Sequence, residues 1–543
     1  MLGTAADAES ERPLRILFVV RGGRLHRFSL LIPALTERGH EVHIAFSPNQ
    51  GWESSGKNEL SPKVQELVDE LCARLPGVDY SIAPRRAESD GWLGVTWLVR
   101  GAADLALTST TRFAGIHGSR PRMRARTRVL EGLEKSNRLE PVGRWLVVSV
   151  GRTLVSGTKG RRARWVSAAA ARLEDAIPTS AEIDRYVEEL SPDVVLATET
   201  YRHMSTEVEF LKSARRLGIP SGAIVTSWDS LVSKGSLKFV PERLFVWNEI
   251  QAEDAVALHA IPRDRVRITG AHGLDEWFER GPSRSREELI RQIGLDPGEP
   301  YVLYLCSSNT IVHRDEVEFA RQWVEALRSS TDERLRRINV VIRPYPGGSA
   351  ADADWAAVER LDGVAVWPAK GTLPVGAQAR ADFFDSLAHS AAVVGINTTS
   401  MIEAAILGKS VLSILVPDFA QQTTVHFQYL LAENGGFLHV AESLDRHVEQ
   451  LVRALDSDAL GAEKRRAFIE SFVRPGGIDR PAAAFTVAEI EELARVPVES
   501  ADRPTTKALR LLLSLEAGLN EAYGSYQGLR KRRRHARAVA AGS

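Results

Sequence analysis

Cysteine is scarce: Cys72 and Cys306 are the only two in 543 residues. They lie far apart, and Cys306 closes the apolar run Tyr301–Cys306 (YVLYLC). A structural disulfide is therefore not expected, and a reducing compartment is. Net charge is missing as well, with 70 Lys and Arg against 70 Asp and Glu, so no global field points to nucleic acid. The most apolar window, Trp92–Leu107, is broken by Arg100 and Asp104 and falls short of a membrane span. The first residues, Met1–Leu14, lack the basic-then-apolar order of a signal peptide. Together these features predict a cytoplasmic protein. No H-E-x-x-H, paired C-x-x-C, G-x-S-x-G or full P-loop wording occurs, and no internal repeat. Gly408-Lys409-Ser410 matches only the end of a P-loop and follows a helical pattern instead of opening one. Asp352-Ala353-Asp354 spells D-x-D, but in an acidic helix start where charge complements the macrodipole, so no catalytic metal is expected.

What the chain does have is strand–turn–helix–strand units, in a length that calls for more than one domain. The clearest unit lies between Asp382 and Gln422. Ala391–Gly395 is a short apolar run that reads as a buried parallel strand, followed by the polar turn Ile396–Ser400. A helical pattern from Met401 to Leu407 stops at Gly408, and Ser410–Val416 is the next strand. Open parallel sheets bind ligands outside the carboxyl ends of their strands. At that edge stand Thr398, Thr399 and Ser400, suited either to a phosphate or to capping the helix, with Glu403 one turn further on.

Similar units recur. Arg15–Val20 leads into Arg21-Gly22-Gly23-Arg24, a helix from Leu25 to Arg38 bent at Pro33, and the strand Glu41–Phe46. Asp193–Ala197 presents Thr198-Glu199-Thr200, and Ser221–Thr226 delivers Ser227 to Gly235, with Trp228, Asp229 and Lys234, to the same edge. Tyr301–Cys306 ends at Ser307 and Ser308, small hydroxyl residues that let backbone N–H groups approach a diphosphate. Val340–Pro344 carries Arg343, a bidentate donor for phosphate. Between Arg85 and Ile177 the pattern changes to apolar helices flanking basic segments, with Arg112, Arg120, Arg122, Arg124, Arg126, Arg128, Lys159, Arg161, Arg162 and Arg164. This reads as a helical insertion, either a solvated or subunit-contacting hairpin or a surface for anionic lipid.

The stretch from Trp367-Pro368 through Gly395-Ile396-Asn397-Thr398-Thr399, Glu403-Ala404 and Gly408-Lys409 to Pro417 and Gln421-Gln422 resembles the donor half of GT-B glycosyltransferases. It departs at Ser410, where a proline is usual. The phrase Ala34–Pro48 (ALTERGHEVHIAFSP) resembles the opening of the GT-B acceptor domain. Arg343-Pro344-Tyr345-Pro346 has tyrosine where related sequences carry histidine. The resemblance implies an α/β protein of two doubly wound Rossmann-like domains. A tail, 1–13, precedes an acceptor-side domain at 14–279, with the insertion at 85–177. A donor domain at 280–480, a return helix at 481–500, and an amphipathic helix with a disordered basic tail at 501–543 follow.

The same resemblance implies metal-independent transfer of a sugar from a nucleotide-sugar to a hydroxyl of a cell-surface glycan or lipid-linked acceptor. No cofactor is expected beyond that substrate. Trp367 would stack on the base and Glu403 hold the ribose. Ser307, Ser308, Arg343, Thr398, Thr399 and Ser400 would embrace the diphosphate, and Asp418, Gln421 and Gln422 read the sugar. His26 takes the place of the general base, with Glu199 and Asp229 orienting it or binding acceptor hydroxyls. Three alternatives stay open: a polyol-phosphate (CDP-glycerol-type) transferase, a nucleotide-sugar 2-epimerase, and a non-catalytic scaffold. The tail Arg530–Arg534 would meet an anionic surface, as would the basic insertion if it is not a solvated or subunit-contacting hairpin.

Overall fold

A computed structural model describes residues 12–47, 59–87, 89–108, 145, 160–198, 200–202, 205–307, 316–345, 354–369, 372, 376–416, 426–456, 461–499 and 504–541. The first sheet has seven strands: β1 (Arg15–Val20), β2 (Glu41–Phe46), β3 (Val78–Ile82), β4 (Val194–Ala197), β5 (Ser221–Ile224), β6 (Arg243–Val246) and β7 (Val266–Ile268). Their order is β3-β2-β1-β4-β5-β6-β7, and every pairing is parallel. The second sheet has six: β8 (Tyr301–Leu305), β9 (Asn339–Arg343), β10 (Val364–Val366), β11 (Ala392–Gly395), β12 (Val411–Ile414) and β13 (His439–Ala441). It runs β10-β9-β8-β11-β12-β13, again all parallel.

Parallel strands covered on both faces must be apolar at nearly every position, and the interior strands β1, β4, β8 and β11 are, whereas the edge strand β3 carries Asp79 and Ser81. Ile16, Phe18 and Val20 enter one core of the first domain while Leu17 and Val19 enter the other. Likewise Tyr301, Leu303 and Leu305 face one core of the second domain, and Val302 and Tyr304 its opposite. The strand order reverses between β1 and β4 and between β8 and β11. These are the points where a doubly wound sheet opens a crevice at its carboxyl edge.

The helix expected from Leu25 to Arg38 is two pieces. Gly22–Phe28 is a 3-10 turn, and an α-helix covers only Leu31–Glu37. Pro33 does not bend it. It sits in the helix's first turn, where a missing N–H costs no intrahelical bond. The chain later returns to the first domain through the helix Ala482–Leu493, whose Val487, Ile490 and Leu493 join the core around β1. Its start is fixed by the fully buried Asp275, which accepts from the backbone N–H groups of Ala482 (3.0 Å) and Ala483 (2.8 Å). Arg474 Nε donates to the same carboxylate at 2.9 Å.

Of the insertion, the described part is chiefly two helices, Trp92–Thr108 and Gly160–Ala176; residues 109–144 and 146–159 lie outside the described residues. A buried ionic network anchors the two helices to the helix Glu207–Leu217. Arg100 donates to Glu174 (2.8 and 3.1 Å), Glu209 (2.7 Å) and the Ser205 carbonyl (3.0 Å). Arg86 reaches the other Glu209 oxygen at 2.8 Å, and Lys212 reaches Glu174 at 3.3 Å. The C-terminal segment corrects an expectation. Instead of a short helix and a disordered tail, one continuous helix runs Pro504–Ala541. Leu513 and Ala517 pack against Val95, Val99 and Ala170 of the insertion, and the Arg, Lys and Ala that follow are strong helix formers. Close approach needs a glycine: a Cβ on Gly91 would overlap the Ala517 carbonyl.

Candidate functional site

The carboxyl edges of the two sheets face one another. Trp228, in the loop after β5, donates its indole N–H to Thr399 Oγ1, after β11, at 3.0 Å. Its ring also meets His426 edge-on, with centroids 4.4 Å apart. Between these edges lies a group of charged side chains drawn from both domains. Arg24, His26 and Arg27 come from the 3-10 turn after β1. Asp229 and Lys234 come from the loop after β5. Arg343 ends β9, Arg380 and Asp382 lie on the helix Ala377–Ala388, Glu403 on the helix Ser400–Ile406, and Glu276 on the segment joining the domains.

Arg343 is the most telling of them. Its side chain is buried, yet neither terminal nitrogen has a hydrogen-bond partner among the described residues. The guanidinium lies 4.8 Å from the Phe383 ring centroid and 5.8 Å from that of Trp367. Burial pushes its pKa down to about 10, against the opposing pull of Asp382 and Glu403, so it remains a cation at neutral pH. A buried cation with unmet donors is costly and calls for an acceptor from outside the fold.

Glu403 sits opposite. Burial pushes its carboxyl up to about 7, although Arg27, a hydrogen bond with Ser400, and Arg343 pull the other way. His26 is neutral: burial and the charges of Arg27, Arg24 and Arg380 push it down to about 3, and its Nδ1 has no partner among the described residues. Arg27 Nη1 donates to the Thr226 carbonyl at 2.6 Å, which pins the guanidinium between Asp229 and Glu403.

Other expected residues have partners within the protein. Asp229 accepts from Ser227 (2.6 Å) and Ser233 (3.2 Å) and pairs with Lys234 at 2.8 Å. No hydrogen bond joins it to His26 among the described residues. Burial would raise its pKa, but Lys234 and His426 outweigh that and hold it far below the usual carboxylate range. Each of the three clustered hydroxyls has a protein partner. Thr398 Oγ1 accepts from Ser400 N at 3.4 Å, Thr399 takes the Trp228 indole, and Ser400 bonds Glu403. The helix they open spans only Ser400–Ile406, so its dipole is small. Ser307 Oγ accepts from Asn397 N at 3.2 Å, tying the two strands at the sheet's reversal. Its own N–H points to Glu316 (3.1 and 3.2 Å) and not outward, and burial pushes that glutamic acid up to about 8. Glu199, Ser308, Asp418, Gln421 and Gln422 lie outside the described residues, as does Asp352 of the D-x-D. Asp354 accepts from Ala356 N at 3.0 Å, in the manner of a cap. Among the described residues no group of three or more His, Cys, Asp or Glu is arranged to hold a metal.

Sequence reasoning missed Arg24, Arg27, Arg380 and Glu276. The phrase Arg21–Arg27 (RGGRLHR) was the available signal: three arginines alongside one histidine in a turn at a strand's carboxyl end.

Two doubly wound parallel domains with facing carboxyl edges and a return helix form the GT-B arrangement, and the chain has that fold. No family description matches its sequence, and no curated protein does. Solved structures with a similar shape include UDP-GlcNAc 2-epimerase from Neisseria meningitidis bound to UDP-GlcNAc (12% identity, 89% of this chain and 100% of that one, TM-score 0.47). A glycosyltransferase from Rickettsia africae is similar over 89% of this chain and 99% of its own, at 10% identity and TM-score 0.46. The fold assignment rests on the two sheets themselves.

Proposed function

We propose that the cleft binds a nucleotide-sugar and that the protein transfers its sugar, without a metal, to a hydroxyl of a glycan or lipid-linked acceptor. The observation that carries this reading is the buried Arg343 with both terminal nitrogens unmet, set between Trp367 and Glu403. A diphosphate supplies the missing acceptors in bidentate geometry. Trp367 offers a ring for the base, and ionised Glu403 accepts both hydroxyls of a ribose. Arg27, Arg24 and Arg380 add positive charge where a leaving diphosphate gathers negative charge, which is electrostatic stabilisation by groups already in place. His26 is the acceptor-side base. Asp229, locked by Lys234, positions the loop after β5, and Asp418, Gln421 and Gln422 remain the proposed readers of the sugar.

Product analysis with a panel of nucleotide-sugars and CDP-alcohols tests the reading. Sugar transfer releases a nucleoside diphosphate and polyol-phosphate transfer a monophosphate, whereas 2-epimerisation returns an isomeric sugar nucleotide. No binding and no turnover across the panel refutes the proposal.

Glu403 adds a sharper expectation. Glu403→Ala should weaken nucleotide-sugar binding by about 1.5–3 kcal/mol, the range for hydrogen bonds to a charged group. With the carboxyl titrating near 7, affinity should rise with pH, by about tenfold from pH 6 to pH 8 if only the ionised form grips the ribose. A nucleotide-sugar is the right probe, because its pyrophosphate does not titrate in that window. Calorimetry should find the dependence abolished in Glu403→Gln, and an unchanged affinity in both variants would remove Glu403 from the site.

A further inference from the structure

The C-terminal helix carries two apolar faces, and the fold uses one. Leu513 and Ala517 face the insertion helices, and Arg510 Nε donates to the Ala176 carbonyl at 3.1 Å. On the opposite side Leu511, Leu512, Leu515, Leu519, Tyr526 and Leu529 are each more than half exposed. At 3.6 residues per turn these six fall within an arc of about 100°. A lone exposed leucine is ordinary, but a row of six on one helix marks a contact surface.

Charge decides what covers it. The helix holds eight Lys and Arg against Glu516 and Glu521, with Arg530–Arg534 directly after the last exposed leucine. A second copy fits poorly. Parallel pairing lays Arg530–Arg534 beside its own equivalent, and antiparallel pairing sets it toward Lys507 and Arg510. An anionic lipid surface fits both features, the exposed apolar row and the surplus of basic residues in the helix's sequence.

We propose that the exposed face of the helix Pro504–Ala541 docks the protein in the plane of an anionic bilayer. The insertion is thereby held at the lipid surface without crossing it. Among the described residues no helix is long and apolar enough to span a membrane. This inference is independent of what the cleft binds.

The test is co-sedimentation of the full chain with vesicles of equimolar phosphatidylcholine and phosphatidylglycerol, compared with phosphatidylcholine alone. Binding should be at least about tenfold tighter to the mixed vesicles and should fall as salt rises. Leu512→Glu/Leu515→Glu/Leu519→Glu and, separately, Arg532→Gln/Arg533→Gln/Arg534→Gln should each weaken it at least about tenfold. The leucine positions point outward, so melting behaviour should be unchanged. A Leu515→Trp probe should show a blue-shifted emission on vesicles. Equal binding to both vesicle types, or binding untouched by the leucine changes, overturns the proposal. So does a concentration-dependent dimer that the leucine changes disperse, which would make the row a seam between copies. Absence of binding to either vesicle type by the full chain overturns it too.

Discussion

Replacing His26 with alanine should lower turnover by about 10²–10⁴-fold while leaving nucleotide-sugar affinity nearly unchanged, the signature of a lost general base. Its environment explains why the effect depends on the donor. Burial and three guanidinium groups push the imidazole down to about 3, which leaves it neutral but weakly basic. A diphosphate settling on Arg27, Arg24 and Arg380 cancels the charge that depresses it. Anions nearby favour the imidazolium form, so the pKa should rise on donor binding. Proton-detected titration of His26 with and without a nucleotide-sugar should show that upward movement. His26→Gln keeps the bulk and should be as impaired as His26→Ala. Turnover within a few-fold of the unsubstituted protein would assign the base elsewhere.

The second large effect belongs to the ionic network beneath the insertion. Arg100→Met should destabilise the first domain by about 3–5 kcal/mol, because it leaves two buried carboxylates short of a cation. Burial alone would raise Glu174 and Glu209, but Arg100, Lys212 and Arg86 outweigh it and hold both below the usual carboxylate range. A depressed carboxyl pKa contributes stability that is present above the unfolded-state value. That contribution is lost as pH falls through the folded value. The network should therefore support the fold at neutral pH and fail in acid, below about pH 4.5. Urea unfolding followed at pH 7 and pH 4 should show the variant's deficit shrinking in acid. The same midpoint for variant and parent at pH 7 would mean that water or neighbouring side chains replace Arg100.

Much of the architecture was legible in the chain because parallel strands buried on both faces cannot disguise themselves as alternating patterns. Arg15–Val20 and Tyr301–Leu305 are near-continuous apolar runs followed by small or polar residues, and they are the interior strands at which the order of each sheet reverses. The break of the first helix was harder to see. Leu25 and Phe28 continue the spacing of Leu31 and Leu35, and only the backbone distinguishes a 3-10 turn from an α-helix there. The tail was misread because a run of like charges has no buried face of its own. It is helical as the continuation of a segment anchored by Leu513 and Ala517. In the site, Arg343 at the end of β9 and Glu403 in the helix Ser400–Ile406 lie close enough for their charges to act on one another. Arg27, Arg380 and Glu276 come from three elements remote in sequence, and nothing local marks them as neighbours. The hydroxyls of Thr398, Thr399 and Ser400 show the opposite limit: a pattern that reads as a ligand cradle already has protein partners.

The position of the long helix in the chain has a consequence for how the protein is made. The face of the insertion formed by Val95, Val99 and Ala170 is covered by residues that come after both complete sheets. During synthesis that face has no partner until the ribosome has read through the whole second domain. Until then the nascent first domain offers an apolar patch to chaperones and to neighbouring chains. Chains that stop short of Leu513 carry that patch permanently, which sets them apart from finished molecules for the machinery that disposes of incomplete ones.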